Sequence, residues 1–225
     1  MKTIKSALYA VVALLALTSA SSAASLNGVY IEAGSSAVGA TAKGDHTDTG
    51  SNSTTVGSIG KAAVTFSYGL GYITDRSRKV GLDVGYMFTP GEAKFTSTSD
   101  SDTTTTGSDV TFEISDSTEY YAAPMLNITE DASIFFKYGV NSSDVKVVGD
   151  VTKPSSMDGK TVAVGTIMSW GSNLYIRTEA GMTEYDKLTV TGLGEDATAS
   201  GVGTDQTVTA TTEVNYGKIA IGYKF

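Results

Sequence analysis

Residues 79–89 alternate with a period of two. Val80, Leu82, Val84, Tyr86 and Phe88 are apolar, with Gly81, Asp83, Gly85 and Met87 between them. A β-strand sends successive side chains to opposite faces, so this stretch reads as a strand with one apolar face and one small or polar face. A single such strand is a weak signal, and its recurrence is a strong constraint. It recurs at 27–38, 58–73, 109–126, from Ser133 onward, at 160–170, at 174–188 and at 212–225. Near Ser133, Ile134, Phe136, Tyr138 and Val140 face one way, and Phe135, Lys137, Gly139 and Asn141 the other. No stretch shows convincing helical periodicity.

The connections alternate in length. Polar segments rich in Gly, Thr, Ser and Asp fill 39–55, 90–107, 147–159 and 189–210, and short turns fill 74–78, 127–132 and 171–173. Transmembrane barrels show this asymmetry, with short periplasmic turns and long extracellular loops. An even strand number puts both chain ends on one side. Closure leaves no sticky edge. In hydrocarbon, a closed barrel is the only arrangement of strands that pairs every backbone N–H and C=O. The predicted fold is therefore all-β: an eight-stranded antiparallel transmembrane barrel in up-and-down order. A soluble sandwich would not keep an apolar outward face on every strand. Tyr72, Tyr86, Phe88, Trp170, Tyr223 and Phe225 are expected near strand ends, at headgroup level.

Composition bounds the rest. Residues 1–24 carry Lys2 and Lys5, an apolar run from Ala7 to Leu17 and small residues up to Ala24. That is the pattern of a secretory signal peptide cleaved after Ala23 or Ala24. Residues 25–225 then form one barrel domain. Losing the two lysines takes the formal charge from -8 to -10, which argues against nucleic acid as a partner. Cysteine is absent and His46 is the sole histidine, so a zinc site or a Cys/His nucleophile pair has no material. No catalytic, cofactor or metal residues are assigned. Asp45, His46 and Asp48 lie in a polar segment with nothing to orient them, against a lipid-modifying enzyme or protease. Asp100, Asp102, Glu195 and Asp196 match no calcium-ligand spacing.

The last strand alternates to its end. Ile219, Ile221, Tyr223 and Phe225 share one face, and Lys218, Ala220, Gly222 and Lys224 the other. This end resembles the C-terminal assembly signal of bacterial outer-membrane barrels through Lys218, Tyr223 and Phe225; Ala220 replaces the glycine of that pattern. With Val80–Phe88, Ile134–Val140 and Leu174–Gly181, the chain resembles the small eight-stranded outer-membrane barrels, namely the OmpA transmembrane domain and the OmpX/Ail group. No peptidoglycan-binding domain is expected beside the barrel. The resemblance implies a monomer in the cell outer membrane of a Gram-negative bacterium. It implies membrane lipid, the barrel assembly machinery and extracellular ligands of the loops as partners, and structural, adhesive or environment-contact roles.

The inward faces should gather Glu32, Lys61, Asp83, Glu119, Lys137, Arg177, Glu179, Lys218 and Lys224. An eight-stranded barrel is narrow enough for side chains to fill it, so these charges are expected to pair across the lumen. Inward glycines such as Gly71, Gly85, Gly165 and Gly222 should leave room for Tyr121, Phe135 and Tyr175. The reading is a non-enzymatic membrane barrel carrying acidic surface loops. The alternative is a small porin-like channel lined by the same charges.

Overall fold

The computed structural model describes residues 28–48, 53–74, 79–97, 110–148, 156–193 and 205–225. Among them are β1 (Gly28–Asp48), β2 (Ser53–Ile73), β3 (Val80–Ser97), β4 (Val110–Asn127), β5 (Ala132–Val148), β6 (Ser156–Trp170), β7 (Leu174–Tyr185), β8 (Leu188–Leu193) and β9 (Asp205–Lys224). Neighbours from β1 to β7 pair in sequence order, and β9 pairs with β1 to close the sheet. Both β7 and β8 pair with β9, so they are two pieces of one stave, interrupted at 186–187. The result is the expected closed eight-stave antiparallel barrel. The candidate signal peptide, Asp100, Asp102, Glu195 and Asp196 lie outside the described residues.

Several strands run past the ends of their hydrophobic alternation. β1 reaches Asp48 and β2 starts at Ser53, paired without a break from Gly28↔Ile73 to Asp48↔Ser53. β3 extends to Ser97, and β5 and β6 reach Val148 and Ser156. Much of the expected loop sequence is therefore strand. The reason is physical. Thr, Ser and Val are good strand residues, but a strand wetted on both faces needs no apolar alternation.

The inward faces pack in layers. Near the short turns, Tyr30, Ile73, Met87, Tyr121, Ala123, Met125, Phe135, Ile167 and Tyr175 form one apolar cluster. Toward the opposite end, Val145, Met157 and Tyr185 form a second, with Ile114 and Val214 against it. Large inward residues lie over glycines of neighbouring strands. A Cβ added at Gly85 would sit 2.6 Å from the Tyr121 hydroxyl, and one at Gly71 would sit 2.5 Å from the Tyr30 hydroxyl. Phe135 covers Gly165 and Tyr175 covers Gly222 in the same way. These glycines are what let a narrow barrel hold so many aromatic rings.

The outward faces are apolar. Val84, Phe136, Tyr138, Val140, Val164, Ile219 and Ile221 are all exposed. Tyr72, Trp170, Tyr223 and Phe225 sit at the short-turn end, and Tyr223 and Phe225 pack edge to face at 5.2 Å. Tyr86 and Phe88 differ from expectation: they lie part-way up β3, where Tyr86 pairs with Tyr120.

One wall is irregular. Among the described residues β2 and β3 pair only from Tyr68↔Phe88 to Ile73↔Asp83. Above Phe88, β3 reaches Pro90, which has no N–H to give a ladder, and Gly91 at a φ of 133°. The β3–β4 register shifts between Thr89 and Glu92, and the β4–β5 register shifts between Ser115 and Ser117, beside Asp116 at a φ of 44°. Bulges bend strands and increase their twist. Above these irregularities β3 stays paired with β4 up to Ser97↔Val110, while its pairing with β2 has ended.

Candidate functional site

The lumen's mid-section is polar, and the strand period puts it there. Glu32 on β1, Asp83 on β3, Glu119 on β4, Lys137 on β5, Arg177 and Glu179 on β7, and Lys218 and Lys224 on β9 are all buried. Four are acidic and four basic, so the buried side chains carry no net formal charge. That balance is what a low-dielectric interior requires, because an unmatched ion there is strongly destabilising.

Arg177 is the centre of one half of the network. It is fully buried. One terminal nitrogen donates to Asp83 Oδ2 at 2.6 Å and to the Tyr30 hydroxyl at 3.3 Å. The other donates to the Tyr121 hydroxyl at 3.0 Å. Nε lies 3.1 Å from Glu32 Oε2. The Tyr30 hydroxyl donates to Asp83 Oδ1 at 2.8 Å and shares a 2.5 Å hydrogen bond with the Tyr121 hydroxyl. Tyr175 donates to Glu32 Oε2 at 3.0 Å, and Lys218 donates to Glu32 Oε1 at 2.8 Å. The guanidinium also lies 5.4 Å from the Tyr30 ring centre and 5.3 Å from that of Phe135, close enough for cation–π attraction.

Lys137 organises the other half. It donates to Glu119 Oε2 at 3.2 Å and pairs with Glu179. Tyr216 donates to Glu179 Oε1 at 2.5 Å. Lys137 also stands 5.2 Å above the Tyr121 ring, which links the halves. Beyond them a ladder of small polar groups continues upward. Asn141 donates to Thr161 at 2.7 Å, and Thr161 bonds Thr183 at 2.7 Å. Ser143 bonds Tyr185 at 3.0 Å.

The structure thus brings together Glu32, Asp83, Glu119, Lys137, Arg177, Glu179 and Lys218. Lys61 has the inward parity but stands exposed, far up β2 opposite Ala40, away from the buried cluster. Period alone gives a residue's face and not its height. The sequence reading missed Tyr30 and Tyr216 as members of the network; their inward parity was visible, but a tyrosine's hydroxyl partner is not a sequence signal. His46 lies on β1, paired with Thr55 and Val208. Among the described residues no group of acidic or histidine side chains could hold a metal ion.

No protein-family model and no curated protein matches the chain. Solved structures do. OprG of Pseudomonas aeruginosa, described as an outer membrane protein, is 14% identical, covers 89% of this chain and 97% of its own, and superposes with a TM-score of 0.51. Ail of Yersinia pestis, described as an attachment invasion locus protein, is 13% identical over 85% of this chain and 99% of its own, at 0.42. The outer membrane protease OmpT of Escherichia coli is 8% identical over 91% and 99%, at 0.47. The likeness to OprG bears on the fold, which is that of an outer-membrane barrel. An apolar exterior on every stave agrees with a lipid surround, and the chain is a protein of the cell outer membrane.

Proposed function

We propose that this chain is a non-enzymatic, monomeric membrane anchor whose barrel is closed to ions and whose acidic connections at the long-hairpin end meet the surroundings. The observation that carries this reading is the network of Arg177 and Lys137. Its charges are spent on one another at hydrogen-bond distance, and aromatic rings pack around them. A conducting filter needs ligands free to exchange with the passing ion. Single-channel recording of the refolded barrel in a planar bilayer tests the reading, and silence is expected. Steady, reproducible steps would overturn it in favour of a small porin-like channel lined by the same residues.

The last strand supports a second role, as the segment that the barrel assembly machinery engages. Its apolar face ends in Tyr223 and Phe225, exposed to the lipid side. Removing Phe225 should lower the amount of heat-modifiable barrel in outer membranes several-fold while leaving synthesis unchanged. Normal membrane levels would count against the role.

A further inference from the structure

Two features of the β2–β3 wall coincide. The first is the fork where the two strands part. Among the described residues no pairing joins β2 above Tyr68 to β3 above Phe88, although β2 continues to Ser53 and β3 to Ser97. Alternate residues of each free edge point their N–H and C=O groups into the fork. From Ile73 to Ser67 is six residues. At ~3.3 Å per residue and a tilt of ~40°, the fork opens about 15 Å above the short-turn end, inside an apolar band about 25 Å tall. Val64, Phe66 and Tyr68, at 68%, 63% and 58% exposure, flank it on the lipid side. Free backbone groups at that depth must find hydrogen-bond partners.

The second feature is a shallow groove of about 490 Å³ directly below the fork. Val29, Leu70, Tyr72, Val84, Tyr86 and Tyr120 line it. It faces the hydrocarbon and is mostly apolar, so an acyl chain suits it better than an ion.

Fork and groove together point to one occupant, and we propose that this wall binds a zwitterionic phospholipid with an ammonium headgroup. One acyl chain lies in the groove. The head dips into the fork, where phosphate and ester oxygens accept from free N–H groups and the ammonium donates to free C=O groups. The need for donors is sharpened at the base of the fork, because Pro90 offers a carbonyl and no N–H. A fatty acid supplies acceptors alone once ionised. A second strand docking on the β3 edge is opposed by Pro90 and by the bulge at Thr89/Glu92, devices that blunt a free edge.

The test is native mass spectrometry of the mature barrel released from vesicles of phosphatidylethanolamine, phosphatidylglycerol and phosphatidylcholine in equal parts. One phosphatidylethanolamine retained per barrel is expected, favoured over phosphatidylcholine by about tenfold because the choline head has no N–H to donate. Val84→Trp, which fills the groove, should abolish retention. Val164→Trp, on the lipid face of β6 across the barrel, should leave it intact. Both variants are first checked for the heat-modifiable gel shift of a folded barrel. Three outcomes would overturn the proposal: no retained lipid, equal retention of the three lipids, or equal loss in both variants. Exclusive retention of lipopolysaccharide or a fatty acid, when these are added to the vesicles, would overturn the assigned occupant.

Discussion

The wall on either side of β1 and the wall between β2 and β3 use the same kinds of residue and end differently. β1 pairs with β2 along the full length of both, and with β9 from Tyr30↔Lys224 to Asp48↔Gln206. β2 and β3 hold together only over their lower ends. Inward side chains add to the contrast at the lower end. The β1 side presents Tyr30 and Glu32, which tie into Arg177, Asp83, Tyr175 and Lys218. Above Tyr68, the inward positions of β2 are Ser67, Thr65 and Ala63, too short to reach the network. The same β2 residues stay paired with β1 up to Asp48↔Ser53, so the pairing with β3 lapses where β3 carries a proline and a bulge.

That contrast can be broken at its strong end first. Arg177→Leu should lower unfolding stability by about 3–5 kcal/mol, since it strands Glu32 and Asp83 without their cation in a dry lumen. Lys61→Leu, at an exposed position, should change it by no more than about 0.5 kcal/mol. Denaturant unfolding in detergent, followed by the single tryptophan, measures both. Similar midpoints for the two variants would mean that the lumen network does not hold the barrel.

A smaller effect is expected where ring meets glycine. Gly222→Ala pushes a methyl into Tyr175, and Tyr175 is fixed by its hydrogen bond to Glu32. The expected loss is about 1–3 kcal/mol. Gly57→Ala has nothing within 4 Å to meet and serves as the control. If the two variants unfold alike, the close packing of rings on glycines is not a source of stability.

The weak end gives the smallest change in stability and the clearest in dynamics. Amide hydrogens of β2 directed into the fork should exchange faster than those of β1 at the same height, because only β1 is paired on both sides. Pro90→Thr restores a donor opposite Phe66 and should slow exchange at Val64 and Phe66, whose amides face β3, while adding less than about 1 kcal/mol of stability. Equal protection on β1 and on upper β2 would show that the fork is closed in the membrane.

Some of this was readable from the residues one by one. The period of two fixed which side chains enter the lumen, as Phe135, Lys137, Arg177 and Glu179 show. It also anticipated glycines facing rings, because a narrow barrel leaves a large side chain space only beside a missing one. The extensions of β1 to Asp48 and β3 to Ser97 were not readable, since a strand bathed by water on both faces carries no hydrophobic rhythm. The membership of Tyr30 and Tyr216 in the network was hidden for a different reason. Their partners Asp83 and Glu179 stand 53 and 37 residues away in the chain and are brought near by barrel closure.

The sequence alone determined the fold class, the eight staves and the face of each residue outside the bulges, because alternation is local and a closed sheet is its one solution in a membrane. At Asp116 the bulge changes the parity of β4 and brings Ile114 inward. Tertiary structure alone decided the height of each charge, its partner and the place where the wall parts. Those depend on register, and register is set by how strands lean on one another around the whole barrel. Lys61 shows the limit: the parity of the inward lysines, with a position on β2 that only the pairing with β1 reveals to lie far above them.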